Sequence, residues 1–519
     1  MKSILLLFLI FTSTLTFAQD PNIIWQKTIG GSSSDYLTNI LHTLDGGLLI
    51  GGNSTSNISG DKTEDSQGEN DIWIVKLNSE GEIEWQNTIG GSEDDYLNDI
   101  IILDDGGYLL ASTSSSNISG DKTENSQGGK DYWVIKINDS GEIEWQNTIG
   151  ADEDDFINEI IQTNDGGFVL AGTSDSGISG DRTVFNNGYS DFWFVKITEN
   201  GILSWQYAFG YGNNDSLTCL IPTNDGSLMA GGIIDAGGIG NYYYGILKIS
   251  NTGNYLGDRL YGGSHDDRLI NILQTQDGGF ILLGFSDSDI SGDKTEDSMG
   301  SYDYWVIKIN SNYEIEWQNT IGGNNGDASN SIIESPEGGY FMSGYSYSNA
   351  SGDKTEDNNG GESTDYWVIK INDVGIIEWQ NSIGGFGPER IPYAIQNSDG
   401  SYMIAGTSGS DISGDKTENS RGGFDYWIVK HAQTLGISEN EFSDKITIYP
   451  NPVKSELKIN STNLNIDLIN IYSLTGQLLM SEKVNSDSSN FDVSNLATGE
   501  YFIQFYAGKK IALKKFIKH

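Results

Sequence analysis

The stretch WQNTIGG at 85–91 decides the fold, because near copies of it recur along the chain, with Trp25, Trp85, Trp145 and Trp205 each sixty positions apart. A second series, in segments of the type DYWVIK, places tryptophans at Trp73, Trp133, Trp193, Trp305, Trp367 and Trp427. The two series together use all twelve tryptophans of the chain. A period this long, repeated more than three times, means one supersecondary unit stacked on copies of itself, since a single unit cannot bury its own apolar faces.

Seven copies are marked by a turn of the DGG type, at Asp45, Asp105, Asp165, Asp225, Asp277, Glu337 and Asp399. Each turn lies between two apolar runs, as in YLNDIIIL (96–103) and YLLAS (108–112), the signal of an antiparallel hairpin. A third run, DYWVIKIN (131–138), and a fourth, EIEWQNTIG (142–150), flank a further turn at Asp139-Ser140-Gly141. The third run is apolar on both faces and reads as a sandwiched strand. The fourth alternates, with Ile83, Trp85 and Asn87 on one side and Glu82, Glu84 and Gln86 on the other, and reads as the outer strand. The expected fold is all-β: a seven-bladed β-propeller of four-stranded, roughly 60-residue repeats. The chain meets IIWQKTIGG (23–31) before any blade, and after Trp427 it leaves the repeats without such a segment. The strand at 23–31 is therefore expected to complete the last blade and close the ring.

At 519 residues the chain has room for more than one domain. Residues 1–18 combine Lys2, an apolar run from Ile4 to Phe11 and the small-residue end Thr16-Phe17-Ala18, the pattern of a cleaved signal peptide. No other apolar run approaches the roughly 18 residues of a membrane span. Cys219 stands alone, which excludes an internal disulfide framework. The net charge of −44 makes nucleic acid an improbable partner. From Ile437 onward nine lysines balance nine acids, so the repeats carry almost all of that charge. The expected organisation is a signal peptide at 1–18, the propeller at 19–435, a linker at 436–445 and a second domain at 446–519.

That last region shows short strands separated by turns at Thr475-Gly476 and near Thr498-Gly499, as in a small Ig-like β-sandwich. Tyr449-Pro450-Asn451-Pro452, the IYSLTGQLL block around Gly476, Leu496 with Gly499-Glu500-Tyr501, and a Lys-rich final strand resemble, in order, the type A-like C-terminal sorting domain of type IX secretion cargo. The resemblance implies export by the Bacteroidota type IX machinery, with the cargo released or attached at the cell surface. The repeats resemble propeller repeats of exported proteins, a likeness that transfers no catalytic residue.

Chemistry is sparse. The four histidines, His42, His265, His431 and His519, belong to no nucleophile elbow or HExxH pair, and no catalytic residue is assigned. Cys219 aligns with an apolar strand and reads as a buried thiol. The acidic runs Ser92-Glu93-Asp94-Asp95 and Asp152-Glu153-Asp154-Asp155 read as solvated loops. The most repeated polar motif, SGDKTE, begins at 59, 119, 291, 351 and 413, with the variant SGDRTV at 179. Its carboxylates offer oxygens to a hard cation, which makes calcium the candidate cofactor. The candidate ligands are Asp61, Glu64, Asp65, Asp121, Glu124, Asp293, Glu296, Asp353, Glu356, Asp415 and Glu418. The competing reading is a structural loop in which Lys62 pairs with the acids.

The unit from Leu217 to Gly263 departs from its symmetry mates: it lacks SGDKTE and carries Asn241-Tyr242-Tyr243-Tyr244 and Tyr255-Leu256 in place of the tryptophan segments. The shortened rim predicts a notch, with Tyr242, Tyr243, Tyr244 and Tyr255 as binding residues. The expected function is a monomeric, non-enzymatic binding or adhesion module for an extracellular carbohydrate or protein. A polysaccharide hydrolase or lyase and a purely structural surface protein are the alternatives.

Overall fold

A computed structural model describes residues 22–236, 241–361, 363–432, 446–461, 466–473, 478–486, 488–507 and 510–519; the leader, the linker and Gly476 lie outside them. Every regular element among the described residues is a β-strand. The chain divides into two compact units, described separately below.

The larger unit holds seven four-stranded antiparallel sheets. Blade 1 runs through Asp35–His42, Leu48–Ser54, Asp71–Leu77 and Ile83–Ile89, from the inner strand to the outer one. The DYW strands are third in order and buried on both faces, whereas the WQNTI strands lie at the edge and are mostly half-buried, fully buried only at their last two residues. Inner strands of successive blades touch around a closed circuit, blade 7 against blade 1 included. Each inner strand carries a β-bulge, between Leu37 and Asn39 in blade 1 and at the matching place in the others, which sharpens the twist that blades need. In blade 7 the outer strand is Ile23–Ile29, paired antiparallel with Asp425–His431 so that Thr28 faces Trp427 and Trp25 faces Lys430.

The apolar cores lie between blades. Trp73, Val75 and Ile50 of blade 1 pack against Ile29, Tyr426 and Ile428 of blade 7. Trp133 and Ile135 of blade 2 likewise meet Leu49, Ile72 and Ile74 of blade 1. The six third-strand tryptophans are fully buried, and each indole N–H donates to the glutamine beside the outer-strand tryptophan, as in Trp73 Nε1 to Gln86 Oε1 at 3.1 Å and Trp427 Nε1 to Gln26 Oε1 at 3.1 Å. Where a tyrosine precedes the buried tryptophan it reaches into the next blade: Tyr132 Oη donates to Trp193 O at 3.1 Å, and Tyr426 to Trp73 O at 3.1 Å.

The DGG turns are tied to the third strands by lysine. Lys76 Nζ lies 2.8 Å from Asp45 Oδ2, and the pair recurs as Lys196 with Asp165 at 2.7 Å. That hydrogen bond holds the Asp45 carboxyl well below the ordinary range.

The first glycine of each IGG is fixed by contact. A Cβ on Gly150 would stand 1.7 Å from Asp131 Oδ1. Gly150→Ala is therefore expected to destabilise the propeller by about 1–3 kcal/mol through overpacking, read as a lower urea midpoint at unchanged slope.

The smaller unit is a β-sandwich. One sheet contains Ile446–Tyr449, Glu456–Ser461 and Ser488–Asp492; the other contains Leu478–Ser486, Ile466–Ser473, Gly499–Ala507 and Lys510–Lys518. Leu457, Ile459 and Phe491 from the first pack on Ile471, Ile503, Phe505 and Phe516 from the second. Tyr501 stacks on Phe516 and donates to Ala497 O at 2.9 Å. The YPNP segment is fastened to the last strand, where Asn451 Oδ1 accepts from Ile517 N at 2.8 Å.

Candidate functional site

The SGDKTE loops form a latch between blades. In the first, Ser59 and Lys62 close a tight bridge over Gly60, whose φ of 56° suits a residue without a Cβ. Asp61 Oδ2 accepts from Gly30 N of blade 7 at 3.2 Å and from Arg421 Nε at 3.1 Å. Asp121 Oδ2 accepts from Gly90 N of blade 1 at 3.2 Å and from Gln67 Nε2. Asp293, Asp353 and Asp415 repeat the bond to the preceding IGG glycine, at 3.3, 3.3 and 3.1 Å. Glu64 Oε2 takes Thr88 N at 2.6 Å, and Glu124, Glu296, Glu356 and Glu418 hold the matching amides. Asp65 Oδ1 takes Ile58 N at 2.9 Å.

The carboxylates face separate backbone amides instead of converging, and among the described residues no group of three or more His, Cys, Asp or Glu side chains is placed to hold a metal ion. Lys62 does not pair with the acids either. It is buried, donating to Glu64 O at 3.0 Å and Thr88 Oγ1 at 2.8 Å, with its ammonium 5.9 Å from the Trp73 ring centre.

The latch is interrupted at blade 4, where only eight residues separate Leu228–Ile234 from Tyr243–Ile249. Asn187 of blade 3, which matches Gln67 and Gln127, bonds instead to Gly210 O at 2.8 Å. The tyrosines of blade 4 do not form one surface. Tyr244 is a core residue, a correction to its expected role: it takes the place of Tyr132, and its hydroxyl donates to Trp305 O at 2.9 Å. Gly245 then stands in the tryptophan position, and Ile234 fills the space, 2.2 Å from where a Cβ would lie. Tyr243 is half-buried against Gly262, and Tyr242 is half-buried beneath the Arg268 guanidinium at 5.2 Å. Tyr255 alone is well exposed, at 52 %, on the outer strand; it stacks on Phe209 at 6.5 Å and donates to Asp258.

Beside the gap lies a cleft of about 410 Å³ lined by Glu153, Asp175, Tyr189, Ser190 and Asn214. Its wall is rigid. Tyr189 N and Ser190 N donate to Asn213 O at 3.1 and 3.3 Å, and Asn186 Nδ2 clamps Tyr189 O at 2.7 Å and Asp175 O at 3.3 Å. Tyr189 is 75 % exposed and Phe185, four residues earlier, 82 % exposed. None of the four tyrosines expected from the sequence lines this cleft. The signal available in the sequence was the variant loop itself, where TVFNNGYS replaces the TENSQGGK of blade 2 and Tyr189 stands at the place of Glu69 and Gly129.

The remaining reactive groups lead elsewhere. Cys219 is buried, and desolvation pushes its thiol up to about 12, so no thiolate forms at neutral pH. His265 is an exposed loop residue beside Ser264 Oγ at 3.2 Å. On the inner strands Glu159 hydrogen-bonds to Asp99, which also accepts from Asn39 Nδ2 at 2.8 Å, and burial pushes both carboxyls upward. Two acids in contact with one another leave no room for the sugar that glycoside cleavage needs between them, typically about 5–9.5 Å wide.

Residues 447–519 match the family described as the secretion system C-terminal sorting domain. A search of curated proteins finds no match to the chain. Among solved structures, PorZ of Porphyromonas gingivalis, a bacterial surface component of the type-IX secretion system, is 11 % identical over 94 % of this chain and 74 % of that one, with a TM-score of 0.33. A protein of unknown function from Dyadobacter fermentans is 11 % identical over 79 % of this chain and 99 % of that one, with a TM-score of 0.39. The Pan2 WD40 domain of Neurospora crassa is 9 % identical over 82 % of this chain and 100 % of that one, with a TM-score of 0.43. None of these is close enough to carry a function across. The chain combines a seven-bladed β-propeller with a type IX secretion C-terminal sorting domain at 447–519.

Proposed function

We propose that this exported propeller is a non-enzymatic binding module that holds a neutral carbohydrate in the cleft between blades 3 and 4. The observation that carries the reading is the cleft itself. It unites an exposed tyrosine ring, two carboxylates, an amide and a hydroxyl in one place. A flat ring with polar groups around it suits a sugar, whose C–H face stacks while its hydroxyls bond at the edge. The charge of −44 selects against uronic-acid and sulfated glycans, which such a field repels. Delivery outside the cell by the sorting domain places the cleft where such ligands occur.

The test is a glycan array probed with the purified protein, followed by titration of any neutral hit. Tyr189→Ala is expected to weaken binding at least tenfold, about 1.4 kcal/mol, without changing the melting curve. No binding by the native protein, or equal binding by Tyr189→Ala, would overturn the assignment.

A further inference from the structure

Sequence places the acid that opens each inner strand at the end of a solvated run, yet in the fold these seven carboxyls are fully buried, from Asp35 in blade 1 to Glu389 in blade 7. The aspartate that opens each third strand outside blade 4 is equally buried. Thirteen carboxyls therefore lie in one belt inside the ring. Only six cations share it, the Lys or Arg of each SGDKTE-type loop, and each is at most 3 % exposed. Within a blade, the cation stands between the two acids; across a junction, the third-strand acid of one blade meets the inner-strand acid of the next.

The junction contacts leave oxygens without donors. At the junction of blades 2 and 3, Asp131 Oδ2 accepts from Gln127 N at 2.5 Å, and Asp155 Oδ2 accepts from Ala151 N at 2.8 Å and Ser176 Oγ at 3.2 Å. Both Oδ1 atoms are buried with no hydrogen-bond partner, and the same orphan recurs at most other junctions. The charged and titratable groups facing this pair are Lys122 of the blade 2 loop, Arg182 of the blade 3 loop and Tyr132, whose hydroxyl is engaged by Trp193 O. Lys122 does not reach the acids: its ammonium donates to Ser114 Oγ at 2.7 Å and Ser126 Oγ at 3.0 Å. Lys130 and Asp154 stand beside the pair toward the rim, joined by the bond from Lys130 N to Asp154 Oδ1 at 2.9 Å. At the next junction a Cβ on Gly210 would lie 2.0 Å from Asp191 Oδ1 and 2.7 Å from Asp215 Oδ2. The two carboxyls are thus within about 5 Å of one another, a range in which both cannot ionise freely when buried.

We propose that each of the six junctions with an acid pair is a proton-binding site, so that in mildly acidic solution the folded propeller carries on the order of six protons that the unfolded chain releases. One proton per junction brings two carboxyls and one cation to neutrality and supplies the missing donor. The directions of titration agree. Desolvation pushes Asp35, Asp71, Asp303 and Asp365 up to about 6, and Asp155 and Glu389 up to about 7. These folded values lie above the unfolded ones, near 3.8 for the aspartates and 4.5 for Glu389, so their stabilising contribution is complete below those values and is lost as pH rises through 6 to 7. The propeller is therefore an acid-hardened fold, firmest in mildly acidic surroundings.

The experiment compares proton binding by the native and the urea-unfolded full chain at pH 6, with melting curves from pH 5 to 8, in high salt so that surface repulsion is screened. The native state is expected to hold several more protons, and Tm is expected to fall as pH rises. Asp155→Asn, whose amide replaces the proton as donor, is expected to lower the uptake by about one and flatten the slope of Tm against pH. Glu80→Gln, on an exposed turn, should change neither. Equal proton binding by the two states, or a pH slope untouched by Asp155→Asn, would overturn the proposal. So would a rise in Tm with sodium or calcium at fixed ionic strength that replaces the uptake, since a metal ion would then occupy the junctions.

Discussion

A chain beginning at Ser32 is expected to melt on the order of 10 °C or more below the full-length protein, with a broadened transition. The segment removed is the outer strand of blade 7. Without it the strand Asp425–His431 becomes an open edge, and the ladder from Ile29–Tyr426 to Ile23–His431 is lost. The indole of Trp427 loses Gln26 as acceptor, and Gln26 Nε2 no longer holds Asp415 O at 2.6 Å. Thr28 N, which Glu418 Oε2 accepts at 2.8 Å, disappears, leaving a carboxylate without its donor. Ile29, fully buried between blades 7 and 1, leaves a void beside Trp73 and Ile428. At roughly 25 cal/mol per Å² of apolar surface, this exposure together with the lost bonds amounts to about 5–10 kcal/mol. A peptide spanning 22–31, added in trans, is expected to restore part of the transition. An unchanged melting curve in differential scanning calorimetry would show that the ring does not depend on this strand.

The blade count was legible because the signals that set it are local and repeated: a turn every repeat, a run apolar on both faces, and an alternating edge run carrying a tryptophan. Each copy reports independently, so divergence in one blade did not obscure the period. The site was legible only in outline. Blade 4 was identified by its missing loop, but its tyrosines could not be ranked. Tyr244 looks like Tyr242 in sequence, and only the register opposite Ile233 places it in the core. Tyr189 escaped notice because it lies in the blade before the gap, and adjacency across blades is not written in chain order.

The acidic motifs show the same limit more sharply. Asp94 and Asp95 are neighbours of identical type. Asp95 opens the inner strand, where its backbone N–H donates to Asn70 O at 2.8 Å, and its side chain is fully buried; Asp94 remains partly accessible at the rim. A period-two pattern tells which face a residue takes, whereas whether that face is wet depends on the blade packed against it. The SGDKTE loops show a related limit. A carboxylate count does not reveal that Glu64 Oε2 and Asp121 Oδ2 answer backbone amides left unpaired where the outer strand ends.

Deletion of 447–519 is expected to abolish delivery of the propeller outside the cell while leaving it folded. The sorting domain has its own core, in which Leu457, Ile459 and Phe491 pack on Ile471, Ile503 and Phe516, and the propeller's seven sheets are complete without it. Removing it should therefore cost the propeller little stability. What is lost is the region that matches the secretion system sorting domain. In it YPNP is accessible, with Tyr449 44 % exposed, and it is held against the final strand by Asn451 and by the bond from Val453 N to Ile517 O at 2.8 Å. The truncated protein is expected to accumulate in the periplasm with the melting temperature of the intact propeller, and fusion of 437–519 to an unrelated periplasmic protein is expected to carry that protein out. Immunoblots of culture supernatant and cell fractions separate the outcomes. Normal secretion of the truncated chain would place the export signal in the propeller instead, while retention of an unfolded propeller would mean that the two units depend on one another for folding.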